Sequence, residues 1–284
     1  MLQFGIRGHD MPQAPFEEWV KSIADAGFCC TQLALAKAVQ DFPVGRETMT
    51  PGMAMYMRRV FEKNQVDVAV LGCYRNLATP DETELADTLK WYEAHLRFAA
   101  HLGCGMVGTE TGAVNREYRY EEANHTEAAL DVFAERLKRV VDMAERLGVL
   151  VGVEPVWCHT MYNPERTRKV LDMVNSPNLR VILDPVNLLT PDNYKEQDEL
   201  VRGAFELFGE EIAAIHVKDF AVRDSRFAEG PMALGEGEFN FPLLFGLIKK
   251  RKPCVHVLLE NSIPENVMQS YEYAKRVYVE CQSR

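Results

Sequence analysis

Residues 151–157 read VGVEPVW. A strand buried on both faces is a run of Val, Ile and Leu, yet this one ends on a carboxylate, Glu154, where the apolar character gives out. A buried carboxylate without a partner is costly enough that it takes up a proton or finds one. The run belongs to VLVGVEPV (149–156), and seven more β-rich runs share its character. They are LQFGIR (2–7), TQLAL (31–35), VDVAVLGCY (66–74), MVGTE (106–110), LRVILDPV (179–186), IAAIHVKDF (212–220) and VHVLLE (255–260).

The segments between them carry helical spacing. Leu85, Leu89, Tyr92 and Leu96 recur at three and four residues, as do Leu130, Phe133, Leu137, Val140, Val141 and Ala144 over a longer stretch; each set makes one buried helix face. Thr79-Pro80-Asp81-Glu82 reads as a capping box with Pro at the first helical position and Gly103 as the stop; Asn163-Pro164-Glu165 opens a later helix and Gly148 closes the one before it. Strands alternating with helices imply parallel strands and right-handed crossovers. Eight such units in 284 residues, with no linker or composition break, match a single (β/α)8 TIM barrel occupying 1–284 as one domain. A doubly wound open sheet is the alternative, but it carries a Gly-rich phosphate turn after an early strand, and the first strand here runs into GIRGHDMP.

The formal net charge is -10, with 42 acids against 32 bases, the opposite of the basic stripe that a nucleic-acid binder uses to neutralise phosphates. Seven cysteines, an odd number without a CxxC pair, argue against a disulfide framework or zinc knuckle and for a reducing compartment. The N-terminus has no signal-like apolar region and no stretch is long and apolar enough to span a bilayer. The expectation is a soluble, cytoplasmic protein without a membrane or nucleic-acid partner.

In a barrel of this kind, functional residues stand at the C-terminal ends of the strands. Strand five ends with Glu154, six with Asp184 in ILDPVN, seven with His216 in AIHVKD and eight with Glu260 in LLEN, at spacings of 30, 32 and 44 residues. Singly, each has an ordinary explanation: Glu154 pairs with a base, Asp184 caps a helix, His216 is a satisfied core histidine. Together they place three carboxylates in one mouth, where they repel, and a divalent cation relieves that repulsion. Three carboxylates and an imidazole suit Mn²⁺ or Mg²⁺, with Co²⁺ or Zn²⁺ admitted by the imidazole.

These residues, in EPV, LDPVNLL, HVKDF and LLEN, together with LGCY (71–74) and VGTETG (107–112), resemble the xylose-isomerase-like TIM-barrel superfamily, and its sugar phosphate isomerase/epimerase branch in particular. The similarity spans nearly the whole chain; the motifs are specific for superfamily and poorly specific for substrate. In the ketose 3-epimerases of that superfamily two glutamates both hold the metal and act as acid and base. The resemblance therefore gives those roles to Glu154 and Glu260 and makes Asp184 and His216 plain ligands. Those epimerases carry a histidine three residues after the aspartate; Asn187 stands there in this chain and takes its place among the candidate substrate contacts. The endonuclease IV branch holds three zinc ions with many histidines. With seven histidines, of which His95, His101 and His125 fall on outer helices and His256 at the wrong end of strand eight, only His9, His159 and His216 remain near the mouth.

The chemistry implied is isomerisation or epimerisation of a small sugar, sugar phosphate or polyol. A metal that chelates a carbonyl oxygen and the adjacent hydroxyl stabilises an enediolate, while one carboxylate removes the proton next to the carbonyl and another returns it. Return to the opposite face is epimerisation, return to the neighbouring carbon is isomerisation, and loss of a β-hydroxyl is dehydration. A metal-retaining barrel that only binds carbohydrate, or serves as a subunit of a complex, is the reading from another class. Further candidates for substrate contact are Glu110 at the end of strand four, His159, Arg7 and His9 after strand one, and Lys218, which strand alternation turns inward beside His216. Tyr74 and Trp157 either wall the sugar or pack the core. The charged segment FAVRDSRFAEG (220–230) reads as a loop that covers the site, binds a phosphate or is merely solvated. The apolar positions of YEYAKRVYVECQ either close the last helix on the barrel or make a contact between copies in a homo-oligomer.

Overall fold

The computed structural model describes residues 2–223 and 226–281. Eight strands, β1 (Gln3–Arg7), β2 (Cys30–Leu33), β3 (Asp67–Gly72), β4 (Met106–Glu110), β5 (Leu150–Glu154), β6 (Leu179–Leu183), β7 (Ile212–Val217) and β8 (His256–Leu259), close into a barrel. Every pairing is parallel, and β1 bonds to both β2 and β8. A helix follows each strand: Phe16–Asp25, Pro51–Asn64, Glu82–Leu102, Glu127–Leu147, Pro164–Val174, Gln197–Phe208, Phe241–Arg251 and Val267–Glu280.

The apolar runs overshoot the strands where the backbone can no longer pair. β5 stops at Glu154 because Pro155 has no N–H to give to the ladder. The helix faces are as the spacing predicts, with Leu130, Phe133, Leu137, Val140, Val141 and Ala144 all buried. Gly103 and Gly148 end their helices in the left-handed conformation, and Asn163 caps the helix that Pro164 opens. The capping box at Thr79 needs correction. Asp81 is the cap, its carboxylate accepting from the Thr83 and Glu84 amides, and Thr79 instead donates its hydroxyl to Glu84 at 2.8 Å. A short carboxylate reaches the first free amides as well as a hydroxyl does and also suits the positive helix end, so the helix begins later than predicted.

Two further elements differ from expectation. The segment 220–230 is not simply a loop: Phe220–Arg223 and Arg226–Glu229 form an antiparallel hairpin, with Phe220 stacked on Phe227 at 4.9 Å; Asp224 and Ser225 lie outside the described residues. Asp219 anchors both the base of the hairpin and the turn beyond it, its buried carboxylate accepting from the amides of Phe220, Gly235, Gly237 and Phe239. His125 is not on an outer helix but in a 3-10 turn, Glu122–His125, at the mouth side, where its Nε2 donates to the Trp157 carbonyl at 2.9 Å.

Apolar packing fills two places. The larger lies between the sheet and the helices; the last helix belongs to it, with Ala274 and Val277 buried and Tyr271 and Tyr278 edge-on to Phe4. The smaller lies inside the barrel, where Cys30, Val70, Met106, Ile182, Ala214 and Leu258 meet. There is room for Ile182 and Val70 only because Gly108 and Gly152 carry no side chain: a Cβ would stand 2.5 Å from Val70 and 2.6 Å from Met106 respectively. Successive strand side chains alternate between faces. The residue two places beyond each inward position therefore also points inward, one layer nearer the mouth. Gly108 leads to Glu110, Gly152 to Glu154, Ile182 to Asp184, Ala214 to His216 and Leu258 to Glu260.

Candidate active site

The topmost inward layer brings Glu154, Asp184, His216 and Glu260 together, one ligand atom from each lying within 4.8 Å of the others. All but Glu260 are buried, and Glu260 retains 11% side-chain exposure. His216 organises the group. Its Nε2 donates to Gln32 Oε1 at 2.7 Å, and Gln32 in turn donates its amide N–H to the Tyr74 hydroxyl. That bond places the ring proton on Nε2, so in neutral imidazole Nδ1 presents a lone pair. This lone pair faces two carboxylate oxygens, Glu154 Oε1 at 3.0 Å and Glu260 Oε2 at 2.8 Å. Three lone pairs converging on one point require a proton or a metal cation between them.

The remaining contacts divide the cluster. Asp184 Oδ1 accepts from the Val186 and Asn187 amides, while Oδ2 is buried without a hydrogen bond among the described residues, 3.4 Å from the Lys218 ammonium. Asn187 bridges Lys218, which donates to its Oδ1, and Glu154 Oε1, to which its Nδ2 donates at 2.8 Å. Lys218 also stands 3.8 Å from Glu260 Oε1, and Arg7 Nη1 donates to that same oxygen at 2.9 Å. Arg7 is held in turn by Asp10 and Asn261.

Protonation follows this geometry. Burial pushes the Asp184 carboxyl up to about 7, against the pull of Lys218 and reinforced by the charges of Glu260 and Glu154. Burial opposes charge on His216, but the two glutamates outweigh it and raise its pKa well above the ordinary imidazole range. Burial likewise opposes charge on Glu260, and Lys218, His216 and Arg7 outweigh it, holding the carboxyl below its usual range. The donor set fits a divalent cation: an orphaned buried carboxylate oxygen, an imidazole lone pair and two more carboxylates, with the second ring nitrogen fixed by an amide as is usual for metal-binding histidines.

A cavity of about 140 Å³ opens on the cluster, lined by Glu154, Glu260, Arg7 and His9 together with Gln32, Lys37, Tyr74, Glu110 and Tyr118. Of the expected substrate contacts, Arg7, His9 and Glu110 line it, and Asn187 and Lys218 lie against the four-residue cluster. His159 sits beside Glu110, its Nδ1 3.8 Å from Glu110 Oε2. Burial pushes the Glu110 carboxyl up to about 7, helped by Glu154, and burial lowers His159 and His9 to about 4. Trp157 is not among the residues that line this cavity: its ring packs against Tyr120 at 5.5 Å and its backbone carbonyl accepts from His125. A larger groove of about 380 Å³ at the other end of the barrel has its Arg58 and Glu62 paired with each other and gathers none of these residues.

Sequence reading missed Gln32 and Tyr118. The first was detectable: in CTQL, Cys30 points into the barrel, so Gln32 does too. Tyr118 lies in a polar connection without periodicity, and no local pattern marks it.

Comparison with known proteins agrees with the fold. No curated protein sequence matches the chain. The structure superposes on D-psicose 3-epimerase with D-tagatose from Clostridium cellulolyticum H10 at a TM-score of 0.72 and 14% identity, covering 98% of this chain and 99% of the other. A D-tagatose 3-epimerase-like protein gives 0.74 and 18%, covering 97% of each chain. The probable 3-DHS dehydratase AsbF of Bacillus anthracis gives 0.74 and 14%, covering 99% of each. The family model for the xylose isomerase-like TIM barrel matches residues 20–277, nearly the whole closed barrel, and the chain is a member of that family.

Proposed function

We propose that this protein is a metal-dependent epimerase or isomerase of a small carbohydrate. The observation that carries the reading is the convergence of Glu154 and Glu260, from strands three steps apart around the barrel, on one imidazole nitrogen. A site that only binds a sugar does not need two carboxylates reaching the same point from different walls. The sugar epimerases among the superposed structures support the same reading.

Glu154, Asp184, His216 and Glu260 would hold the ion, and Mn²⁺ or Mg²⁺ fits their mostly oxygen character. When bound it supplies Lewis acidity at the oxygens of the substrate. Glu154 and Glu260 remove a proton from the carbon next to the carbonyl and return one, each from its own side. Asn187 orients Glu154, and Arg7 orients Glu260. Lys218, His9, Glu110 and His159 face the substrate. An odd number of cysteines with no CxxC pair suits a reducing, cytoplasmic setting.

The test is solvent exchange. The Mn²⁺-loaded protein incubated in D₂O with a panel of ketoses should introduce deuterium next to the carbonyl, and product analysis separates epimer, isomer and dehydrated compound. Glu260→Gln should abolish exchange while the thermal transition stays cooperative. Exchange that survives in this variant removes the acid–base role; no exchange with any ketose, ketose phosphate or keto-polyol leaves a binding barrel.

A further inference from the structure

The β4 side of the cavity carries a polar cluster outside both the ion-holding group and the acid–base pair. Tyr118 donates its hydroxyl to Glu110 Oε2 at 3.2 Å, its ring lies 4.7 Å from the His159 ring, and His159 Nδ1 is 3.8 Å from the same carboxylate oxygen. Two independent features mark the cluster as a binding element. Tyr118 has a φ of 54°, in the left-handed region, which a bulky side chain rarely adopts and which persists where surrounding structure enforces it, often at functional sites. His159 is more than nine-tenths buried, and its Nδ1 has no hydrogen-bond partner among the described residues. That buried nitrogen, 3.8 Å from Glu110 Oε2, leaves the cluster one hydrogen bond short, which a water or a ligand hydroxyl beside Glu110 and Tyr118 would supply.

The chemistry of that partner is set by the groups that face it. With its proton committed to Glu110, the Tyr118 oxygen offers lone pairs, Glu110 offers acceptor capacity, and neutral His159 gives or takes one hydrogen bond at Nδ1. Hydroxyl groups, which donate and accept, match this set; a phosphate accepts only and meets a carboxylate. The cavity's cations are not set against this cluster: Arg7 is committed to Glu260, Asp10 and Asn261, and Lys37 stands exposed in the one-turn helix Leu35–Ala38 beyond β2, two strands away from Glu110.

Building on the epimerase reading, we propose that Glu110, Tyr118 and His159 form a subsite for the hydroxyls at the end of the substrate remote from the reacting carbonyl, and that the substrate is an unphosphorylated polyhydroxy ketone. The test compares free ketopentoses and ketohexoses with their terminal phosphates on the Mn²⁺-loaded full chain at pH 8, where Glu110, with its pKa of about 7, is ionised. The preferred free ketose should exceed its phosphate at least tenfold in kcat/KM. Tyr118→Phe, which keeps the ring, should raise KM for that ketose about three- to tenfold, the loss expected for a single hydrogen bond, with kcat within twofold and an unchanged KM for the phosphate. A phosphate preference, or a Tyr118→Phe variant with wild-type KM, overturns the subsite. If no compound exchanges, the epimerase reading fails on its own, and calorimetric titration with D-fructose and D-fructose 6-phosphate still decides: ketose binding weakened by Tyr118→Phe supports the subsite, and equal binding refutes it.

Discussion

Asp184→Asn tests the proposed metal centre in two opposite directions. The substitution keeps Oδ1, which accepts from the Val186 and Asn187 amides, and replaces the oxygen that has no hydrogen bond. In the ion-free protein that oxygen is a burden, because burial raises the carboxyl from 3.8 to about 7. A carboxyl whose folded pKa lies above its unfolded value costs nothing below the unfolded value. The cost grows as pH rises between the two values and is complete above the folded one. Three pH units at about 1.4 kcal/mol each amount to roughly 4 kcal/mol at pH 8, and to about 2 kcal/mol at pH 5. With chelator present, the Asn variant should therefore melt above wild type at pH 8, by at most roughly 8–16 °C at about 2–4 °C per kcal/mol, and by about half that at pH 5. With Mn²⁺ at a hundred times its dissociation constant wild type gains about 2.7 kcal/mol and the variant little or none, so the gap at pH 8 should narrow to roughly 1 kcal/mol. Differential scanning fluorimetry at both pH values, with chelator or Mn²⁺, reads all of this. An Asn variant less stable than wild type without ion at pH 8, or one that keeps the full Mn²⁺ shift, refutes Asp184 as a charge held for a cation.

The same groups predict how ion binding depends on pH. Asp184, with its pKa of about 7, and His216, with its pKa raised by the glutamates, must both give up protons. Affinity for Mn²⁺ should thus fall at least tenfold per pH unit below about 7, and calorimetry in buffers of different ionisation enthalpy should show about one to two protons released. Constant affinity between pH 5.5 and 8 contradicts this. Inside the barrel, Gly152→Ala places a Cβ 2.6 Å from Met106 Sδ and 2.9 Å from Ile182; overpacking of this kind should cost about 1–3 kcal/mol, measured by urea unfolding, and an unchanged midpoint contradicts the packing described.

Much of the site was legible because β-structure has a period of two. Once a run such as VLVGVEPV is placed as a strand, the inward side of Gly152 assigns Glu154 to the same side, and the same holds for Asp184, His216 and Glu260. The rule reaches Gln32 as well, though polarity inside CTQL does not draw attention to it. Periodicity says nothing about connections. The hairpin at Phe220–Arg223 and Arg226–Glu229 looked like a charged loop because its strands are only four residues each, and the turn containing His125 looked like the start of a helix. Asp81 rather than Thr79 caps its helix because two competent caps lie two residues apart, and only the packed helix chooses between them.

The amino-acid sequence alone determined the barrel and the strand ends at which its polar residues stand, since burial on both faces and alternation along a strand are local properties written in residue order. Tertiary structure decided which of those residues touch. The imidazole lone pair of His216 between two carboxylates, the Asn187 bridge from Lys218 to Glu154, and the strained Tyr118 set against Glu110 and His159 join residues far apart in the chain. No local pattern encodes such contacts, because they exist only once the barrel has closed and carried its strand ends to one mouth.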